Sequence, residues 1–203
     1  LDEHRFSRNT FFVMRHGEAM HNLSDVISAG IERPKNRSEL TAKGKEDVSR
    51  TALKLKKEKI DVIIASPYYR TQQTAKIVAD ALGISEVVTD ARIAEIDCGV
   101  FNGRPVAEHK RFFNGDRLKE FSKAPPSGES LQDVKSRMMD FLVSIDRTYA
   151  GKRILIVGHG DPLWVLEGAS RHVQNIALDT VDYIQPATYR GLELHNFPYN
   201  RFG

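Results

Sequence analysis

Three apolar runs in this 203-residue chain stop at residues suited to holding an anion. Thr10-Phe11-Phe12-Val13-Met14 ends at Arg15-His16-Gly17, and Asp61-Val62-Ile63-Ile64-Ala65 ends at Ser66-Pro67-Tyr68-Tyr69-Arg70. Arg153-Ile154-Leu155-Ile156-Val157 ends at Gly158-His159-Gly160. Arginine offers a planar fork of donors matched to phosphate oxygens and keeps its charge at any working pH. Histidine is a nucleophile when neutral and a donor when charged. Taken singly, Arg-His-Gly describes an ordinary strand-to-loop junction, and a histidine between glycines describes a turn packed on a sheet. Placed together at successive strand ends, two arginines and two histidines converge on one crevice, because ligands of open α/β sheets bind beyond the carboxyl ends of the strands.

Those junctions require a scaffold. Each run is short and continuously apolar, as expected of strands buried on both faces. Helical patterns lie between them. Thr41 is placed to cap a helix running to about residue 57, with apolar positions at Val48, Ala52, Leu53 and Leu55. Residues 69–82 read as a second helix stopped by Gly83, and 86–88 as a short third strand. Leu131, Val134, Met138, Phe141, Leu142, Ile145 and Tyr149 step by three and four through 129–149, an amphipathic helix. Residues 17–40 read as loop, and 91–128 as an irregular segment with a short helix over 105–113. The expected fold class is therefore α/β: a three-layer α/β/α sandwich around a mainly parallel central sheet, with a small cap inserted at about 96–128. One domain over 1–203, with its core at about 10–195, accounts for the length.

With 40% hydrophobic and 28% charged residues, the chain has the balance of a globular domain. Thirty Lys and Arg against 27 Asp and Glu leave a net charge of +3. The basic residues are interspersed with acidic ones, as in Lys54-Leu55-Lys56-Lys57-Glu58-Lys59, which reads as a solvated helix face. No nucleic-acid partner is expected from that pattern. No apolar stretch approaches the roughly 18–20 residues that cross a bilayer, and no signal-peptide pattern opens the chain, so no membrane partner and a cytoplasmic location are expected. Cys98 is the single cysteine, and His4, His109, His172 and His195 lack metal-ligand spacing; neither a metal nor a cofactor is expected. The chain opens on Leu1 and closes on Phe202-Gly203, so excision from a longer chain is one reading, with residues 32–36 or the cap facing partner domains. The oligomeric state is left open.

Arg15-His16-Gly17-Glu18 is followed by Asn22, six residues after the histidine. Leu40-Thr41-Ala42-Lys43-Gly44 opens the first helix, and Ser66-Pro67-Tyr68-Tyr69-Arg70-Thr71-Gln72-Gln73-Thr74-Ala75 carries the second arginine. Glu95 precedes Gly99-Val100-Phe101-Asn102-Gly103, Pro125-Pro126-Ser127-Gly128-Glu129-Ser130 opens the long helix, and Gly158-His159-Gly160 closes the series. In this order, over about residues 10–194, the six elements resemble the histidine phosphatase superfamily in its phosphoglycerate-mutase-like branch, branch 1.

The resemblance, joined to the residue chemistry, implies that His16 is a nucleophile. One imidazole nitrogen would attack phosphorus while a backbone carbonyl fixes the other, giving a phosphohistidine. Arg15, Arg70 and a protonated His159 are expected around the equatorial oxygens. Asn22 and the backbone at Gly160 are expected as further substrate-binding donors. Glu95 is expected as the general acid, protonating the leaving alkoxide and then deprotonating the attacking water. Asp161 is its rival, because another branch of the superfamily uses an aspartate directly after the second histidine. Here Gly160 intervenes, and Asp161 is expected to open a helix, where a carboxylate is favourable. His21 could reach the cleft, but is read as an exposed loop residue, and Cys98 as a small packed one.

The same constellation supports hydrolysis of a phosphomonoester and phosphoryl transfer between hydroxyls. Family mutases follow their glutamate with an arginine, an aromatic or histidine, and a tyrosine. This chain has Ile96-Asp97-Cys98 there. The expected function is thus a metal-independent phosphomonoester hydrolase acting on a small phosphorylated metabolite. A mutase-type phosphotransferase and a catalytically idle phosphate-binding or interaction domain are the alternatives.

Overall fold

The computed structural model describes residues 7–29 and 37–195; residues 32–36, considered above as a partner-facing loop, and His4 lie outside them. Five strands form one sheet: β1 (Thr10–Arg15), β2 (Val62–Ala65), β3 (Val87–Thr89), β4 (Arg153–Gly158) and β5 (Tyr189–Gly191). Their spatial order is β3-β2-β4-β1-β5, with β5 antiparallel to β1 and the other pairings parallel.

Strand residues alternate between two cores, because successive side chains of a strand point to opposite faces. Phe12, Met14, Ile63, Ala65, Leu155 and Val157 join the cluster containing Val48, Ala52 and Leu55 of α1 (Ala42–Leu55) and Ala75, Val78 and Ala79 of α2 (Tyr69–Leu82). Phe11, Val13, Ile64, Ile154 and Ile156 join the opposite cluster. It contains Val134, Met138 and Phe141 of α5 (Leu131–Thr148) and Leu163, Val165 and Leu166 of α6 (Gly160–Ser170). Burial on both faces explains why the strands read as unbroken apolar runs. It also produces the three layers expected from the alternation of strands and helices.

Helix ends follow local chemistry. Thr41 caps α1 by accepting from the Gly44 N–H, and Ser130 and Asp133 form a reciprocal capping box at the start of α5. Gly83 ends α2 in the left-handed conformation, φ 72°. Of the apolar positions noted on α1, Leu53 is 61% exposed; at one residue past Ala52 it is rotated away from the face that Val48, Ala52 and Leu55 bury.

The 91–128 segment is more ordered than its Gly/Pro pattern conveys. It holds α3 (Val106–Phe112), close to the expected short helix, and an additional helix α4 (Arg117–Ser122) capped by Asp116. Phe113 and Phe121 are buried, so the cap has its own anchors. Backbone bonds from Ile27 to Arg104, Gly103 to Ile27 and Val106 to Asp25 tie the start of the cap to the loop after β1.

That loop is itself held against α1. The Thr41 N–H donates to the Glu18 carbonyl at 3.0 Å, and the Thr41 hydroxyl donates to Glu18 Oε1 at 2.8 Å. A side chain at Gly44 would overlap the Glu18 carbonyl oxygen. Gly44→Ala is therefore expected to lower the unfolding free energy by about 1–3 kcal/mol, read from urea midpoints; an unchanged midpoint would show that the contact relaxes without cost.

Candidate active site

The spatial order β2-β4-β1 places three strand ends side by side. Arg15 pairs with Gly158 and Ala65 with Val157. Just beyond the sheet, the His16 N–H donates to the Gly158 carbonyl at 3.0 Å and the Ser66 N–H to the Val157 carbonyl at 3.1 Å. These bonds fix the backbones carrying the two histidines and the second arginine motif. The imidazole centroids of His16 and His159 lie 5.3 Å apart, both rings fully buried.

His16 has one nitrogen committed. Its Nδ1 lies 2.7 Å from the Gly17 carbonyl oxygen, which can only accept, so Nδ1 carries the ring proton and Nε2 keeps its lone pair. The Gly17 N–H donates to Thr74 Oγ1 at 3.1 Å, so the carbonyl's own peptide segment is anchored to α2. Ser66 Oγ lies 2.8 Å from His159 Nε2. The Tyr68 N–H, 3.4 Å from Ser66 Oγ, can only donate, so Nε2 is the acceptor at this buried hydroxyl, and the satisfied arrangement puts the His159 proton on Nδ1. That Nδ1 is buried without a hydrogen bond and stands 3.8 Å from Glu95 Oε2.

Both arginines are held by backbone carbonyls. Arg15 Nη1 donates to Ile184 O at 3.1 Å, and its guanidinium lies 5.4 Å from the centre of the Tyr183 ring. Arg70, wholly buried, donates to Ser28 O at 3.1 Å and stacks 4.7 Å from the Tyr68 ring centre. Burial, and then the charge of Arg70, push His16 and His159 well below the ordinary imidazole range. This corrects the imidazolium expected at His159: desolvation and the nearby cation each disfavour a second positive charge, so burial favours the neutral form of both rings. Neutrality is the state in which His16 Nε2 can act as a nucleophile.

Glu95 follows a short turn at Ala91–Ile93 and is pushed up to about 7 by burial and by Asp161, against the pull of Arg70 and Arg15. Its Oε1 accepts from the Ile96 N–H at 2.9 Å. Asp161 sits in the first turn of α6 and accepts from Arg117 Nη2 at 2.7 Å and from the Tyr183 hydroxyl at 3.1 Å. It is therefore a bonded helix-start residue whose charge nevertheless reaches Glu95. Gly160 begins α6 directly beneath Tyr183, where a Cβ would overlap the phenol. Asn22 is exposed, and its Oδ1 accepts from the Ala19 N–H at 2.9 Å, which leaves only its amide nitrogen for a ligand. Cys98 is buried and its thiol is pushed up by burial, consistent with a packed residue.

Two participants, Tyr183 and Arg137, escape a reading of the sequence, and a third, His21, is misread by it. Tyr183 covers Gly160 from a stretch without periodicity. His21, read as an exposed loop residue, is corrected: its ring packs 5.5 Å from that of His16. Arg137, in the middle of α5, holds the segment that bears Glu95. It donates to the carbonyls of Arg92 at 2.7 Å, Ala94 at 2.9 Å and Glu95 at 3.2 Å, and makes a two-pronged ion pair with Glu129 at 2.8 and 3.0 Å. Glu129 in turn accepts from the Asp97 N–H at 3.0 Å. Removing this guanidinium leaves several carbonyls and a carboxylate short of donors. Arg137→Met is expected to lower the unfolding free energy by about 3 kcal/mol, measured by urea denaturation.

Among the described residues no group of three or more His, Cys, Asp or Glu stands close enough to share a metal ion, and no helix is long and apolar enough to cross a membrane. The assembled pocket carries two fixed cations, two neutral imidazoles and one carboxyl poised to exchange a proton near neutrality.

A fold and a site of this kind define a phosphoryl-handling α/β protein. Residues 11–196 match the model of the histidine phosphatase superfamily (branch 1), and the chain belongs to that superfamily. It is 34% identical over 198 residues to a Yersinia enterocolitica protein named "Probable phosphoglycerate mutase GpmB", covering 94% of this chain and 82% of that one. Among solved structures, Bacillus stearothermophilus YhfR matches with a TM-score of 0.76 and 26% identity, over 92% of this chain and 94% of that one. The mycobacterial glucosyl-3-phosphoglycerate phosphatase matches with a TM-score of 0.76 and 20% identity, over 90% and 88% of the two chains. The fold is accordingly phosphoglycerate-mutase-like, and family and neighbours together support an enzyme of the phosphatase or mutase kind.

Proposed function

We propose that the protein is a metal-independent phosphomonoester hydrolase that works through a phosphohistidine at His16 on a small phosphorylated metabolite. The observation that carries this reading is the buried His16, its Nδ1 tied to Gly17 and so its Nε2 lone pair left free, with the His159 ring 5.3 Å away and the charges of Arg70 and Arg15 acting on it. In the first step the Nε2 lone pair forms a bond to phosphorus, the ester P–O bond breaks, and the leaving alkoxide takes the Glu95 proton. In the second, Glu95 takes a proton from water, the resulting oxygen nucleophile attacks phosphorus, and the P–N bond breaks to release phosphate. Arg15 and Arg70 supply fixed positive charge to the phosphoryl oxygens, and the His159 Nδ1–H supplies a donor. Asn22 and the backbone N–H of Gly160 are further donors in this reading.

Hydrolysis is favoured over transfer by the residues after Glu95. Ile96 and Cys98 are buried in the core, and Asp97 accepts from the Gly99 N–H at 2.8 Å and the Asn102 amide at 2.7 Å. None of the three offers a charged clamp to a substrate. A mutase is the second reading, favoured by the name of the Yersinia relative. A panel of sugar phosphates, phosphoglycerates, nucleotides and phosphopeptides, assayed for phosphate release with and without a chelator, tests the proposal. Chelator-resistant release is expected. Interconversion of phosphoglycerates that needs a bisphosphorylated primer and releases little phosphate would establish the mutase instead. Phosphate binding without turnover of any kind would establish the idle domain.

A further inference from the structure

The loop after β1 brings a third histidine to the pocket. His21 lies in the short turn Met20–Leu23, and its ring centroid is 5.5 Å from that of His16, nearly the separation between His16 and His159. Arg70 and Arg15, which flank His16, also act electrostatically on His21. Two imidazoles therefore stand within 5.5 Å of His16, and the same two cations act on His16 and His21.

The state of the His21 ring follows from Ser38, which is buried. Ser38 Oγ accepts from the His21 backbone N–H at 3.0 Å and lies 2.8 Å from His21 Nδ1. Of the two groups at this buried hydroxyl the backbone N–H can only donate, so among the described residues Nδ1 is the one acceptor bonded to the Ser38 hydroxyl, and the satisfied arrangement has Nδ1 accepting its proton. The ring proton is then on Nε2, at the opposite edge of the imidazole. Nε2 has no hydrogen-bond partner among the described residues, while the other edge is fixed at two points to Ser38.

We propose that His21 is a substrate-binding residue whose Nε2–H, fixed in that tautomer by Ser38, donates a hydrogen bond to a non-bridging oxygen of the phosphoryl group attacked by His16. This rests on the reading of the pocket as a phosphoryl site. Burial and the two arginines hold His21 at about 3, so it contributes a neutral donor throughout the working pH range and adds no charge to a pocket that already holds two guanidinium groups. A neutral donor at that edge discriminates by direction more than by charge, which suits a group that orients the phosphoryl oxygens while the arginines neutralise them.

Orthovanadate, a phosphoryl mimic, provides the test, with binding measured calorimetrically for the wild type, His21→Phe, His21→Gln and Ser38→Ala. Glutamine places an N–H near the position of imidazole Nε2, whereas phenylalanine preserves the ring packing and removes the donor. The expected loss is about tenfold or more in affinity for His21→Phe, as for a hydrogen bond to a charged group, and within about threefold for His21→Gln. Ser38→Ala is expected to fall between them. A purely structural role for the ring predicts the opposite order, with phenylalanine tolerated and glutamine not, and that order would overturn the inference. Long-range proton–nitrogen spectra of the wild-type histidine rings give an independent readout: His21 is expected as the Nε2–H tautomer, and an Nδ1–H tautomer would overturn it whatever the variants do. Failure of the wild type itself to bind vanadate would overturn the phosphoryl-site reading along with this one, whereas vanadate binding that is indifferent to His21→Phe would overturn this one alone.

Discussion

His16→Ala is expected to abolish turnover, with kcat down by about 10⁴-fold or more, the scale seen when a covalent nucleophile is removed. The size of the effect follows from the role. An alanine cannot form the P–N bond, so the two-step route is lost and only direct attack by water remains. The fold should survive, because the backbone bond from the His16 N–H to Gly158 is retained and the side chain contributes one local hydrogen bond to Gly17. Rapid quenching in alkaline detergent with a labelled phosphomonoester should trap radioactive protein in the wild type, the label stable to base and lost on later acid treatment as a phosphoramidate is, and none in His16→Ala. Undiminished turnover in the variant would remove the covalent mechanism outright, and a trapped label that persists would place the nucleophile elsewhere.

Glu95→Gln is expected to slow turnover by about 10²-fold or more, within the range of general acid–base contributions. Glutamine preserves the size of the side chain and the acceptor for the Ile96 N–H but can neither give nor take the reaction proton. The pH dependence carries the sharper signature. Glu95 is held up at about 7, so it is protonated and competent as an acid below that value and loses this competence above it. In the wild type, kcat/KM should therefore fall as pH rises through about 7, and this limb should be absent in Glu95→Gln. Stability must move with the opposite consequence for the variant. Between about pH 4.5 and 7 the folded protein keeps a proton on Glu95 that the unfolded chain has released, so the wild type loses stability as pH rises through that window. Glu95→Gln is expected to melt higher than the wild type at pH 8 and to match it at pH 4. Equal melting temperatures at pH 8 would show that the carboxyl is not desolvated in solution.

Much of the scaffold was legible because its signals are local. A strand buried on both faces must be apolar throughout, and a helix on the outside of a sheet must repeat every three to four residues, so β1, β2, β4, α1, α2 and α5 could be read from single windows. Thr41 and Ser130 mark helix starts by chemistry within one turn. The elements that escaped are short or supported from a distance. β5 spans three residues and exists as a strand because Phe12, Val13 and Met14 pair with it. α4 is a six-residue helix whose Phe121 is buried against the body of the domain.

The site divides in the same way. The placement of Arg15, His16, Arg70 and His159 was legible because each lies at the end of a strand or shortly beyond it, and the crevice of an α/β sheet lies at that end. Their protonation was not, since it depends on burial and on charges contributed by other strands; His159 reads as a cation in isolation and is neutral in its pocket. Arg137 is one basic residue in an amphipathic helix until α5 is laid across the loop bearing Glu95. His21 is a loop histidine until the chain turns its ring toward His16. The sequence by itself determined the residue types, their order and the sheet that gathers them, through periodicities confined to neighbouring residues. Only the tertiary structure decided what His159 Nε2 meets, which cations lower the imidazoles and what holds Glu95 in place, because those depend on groups brought together from more than forty positions apart, as Ser66 is from His159 and Arg137 from Glu95.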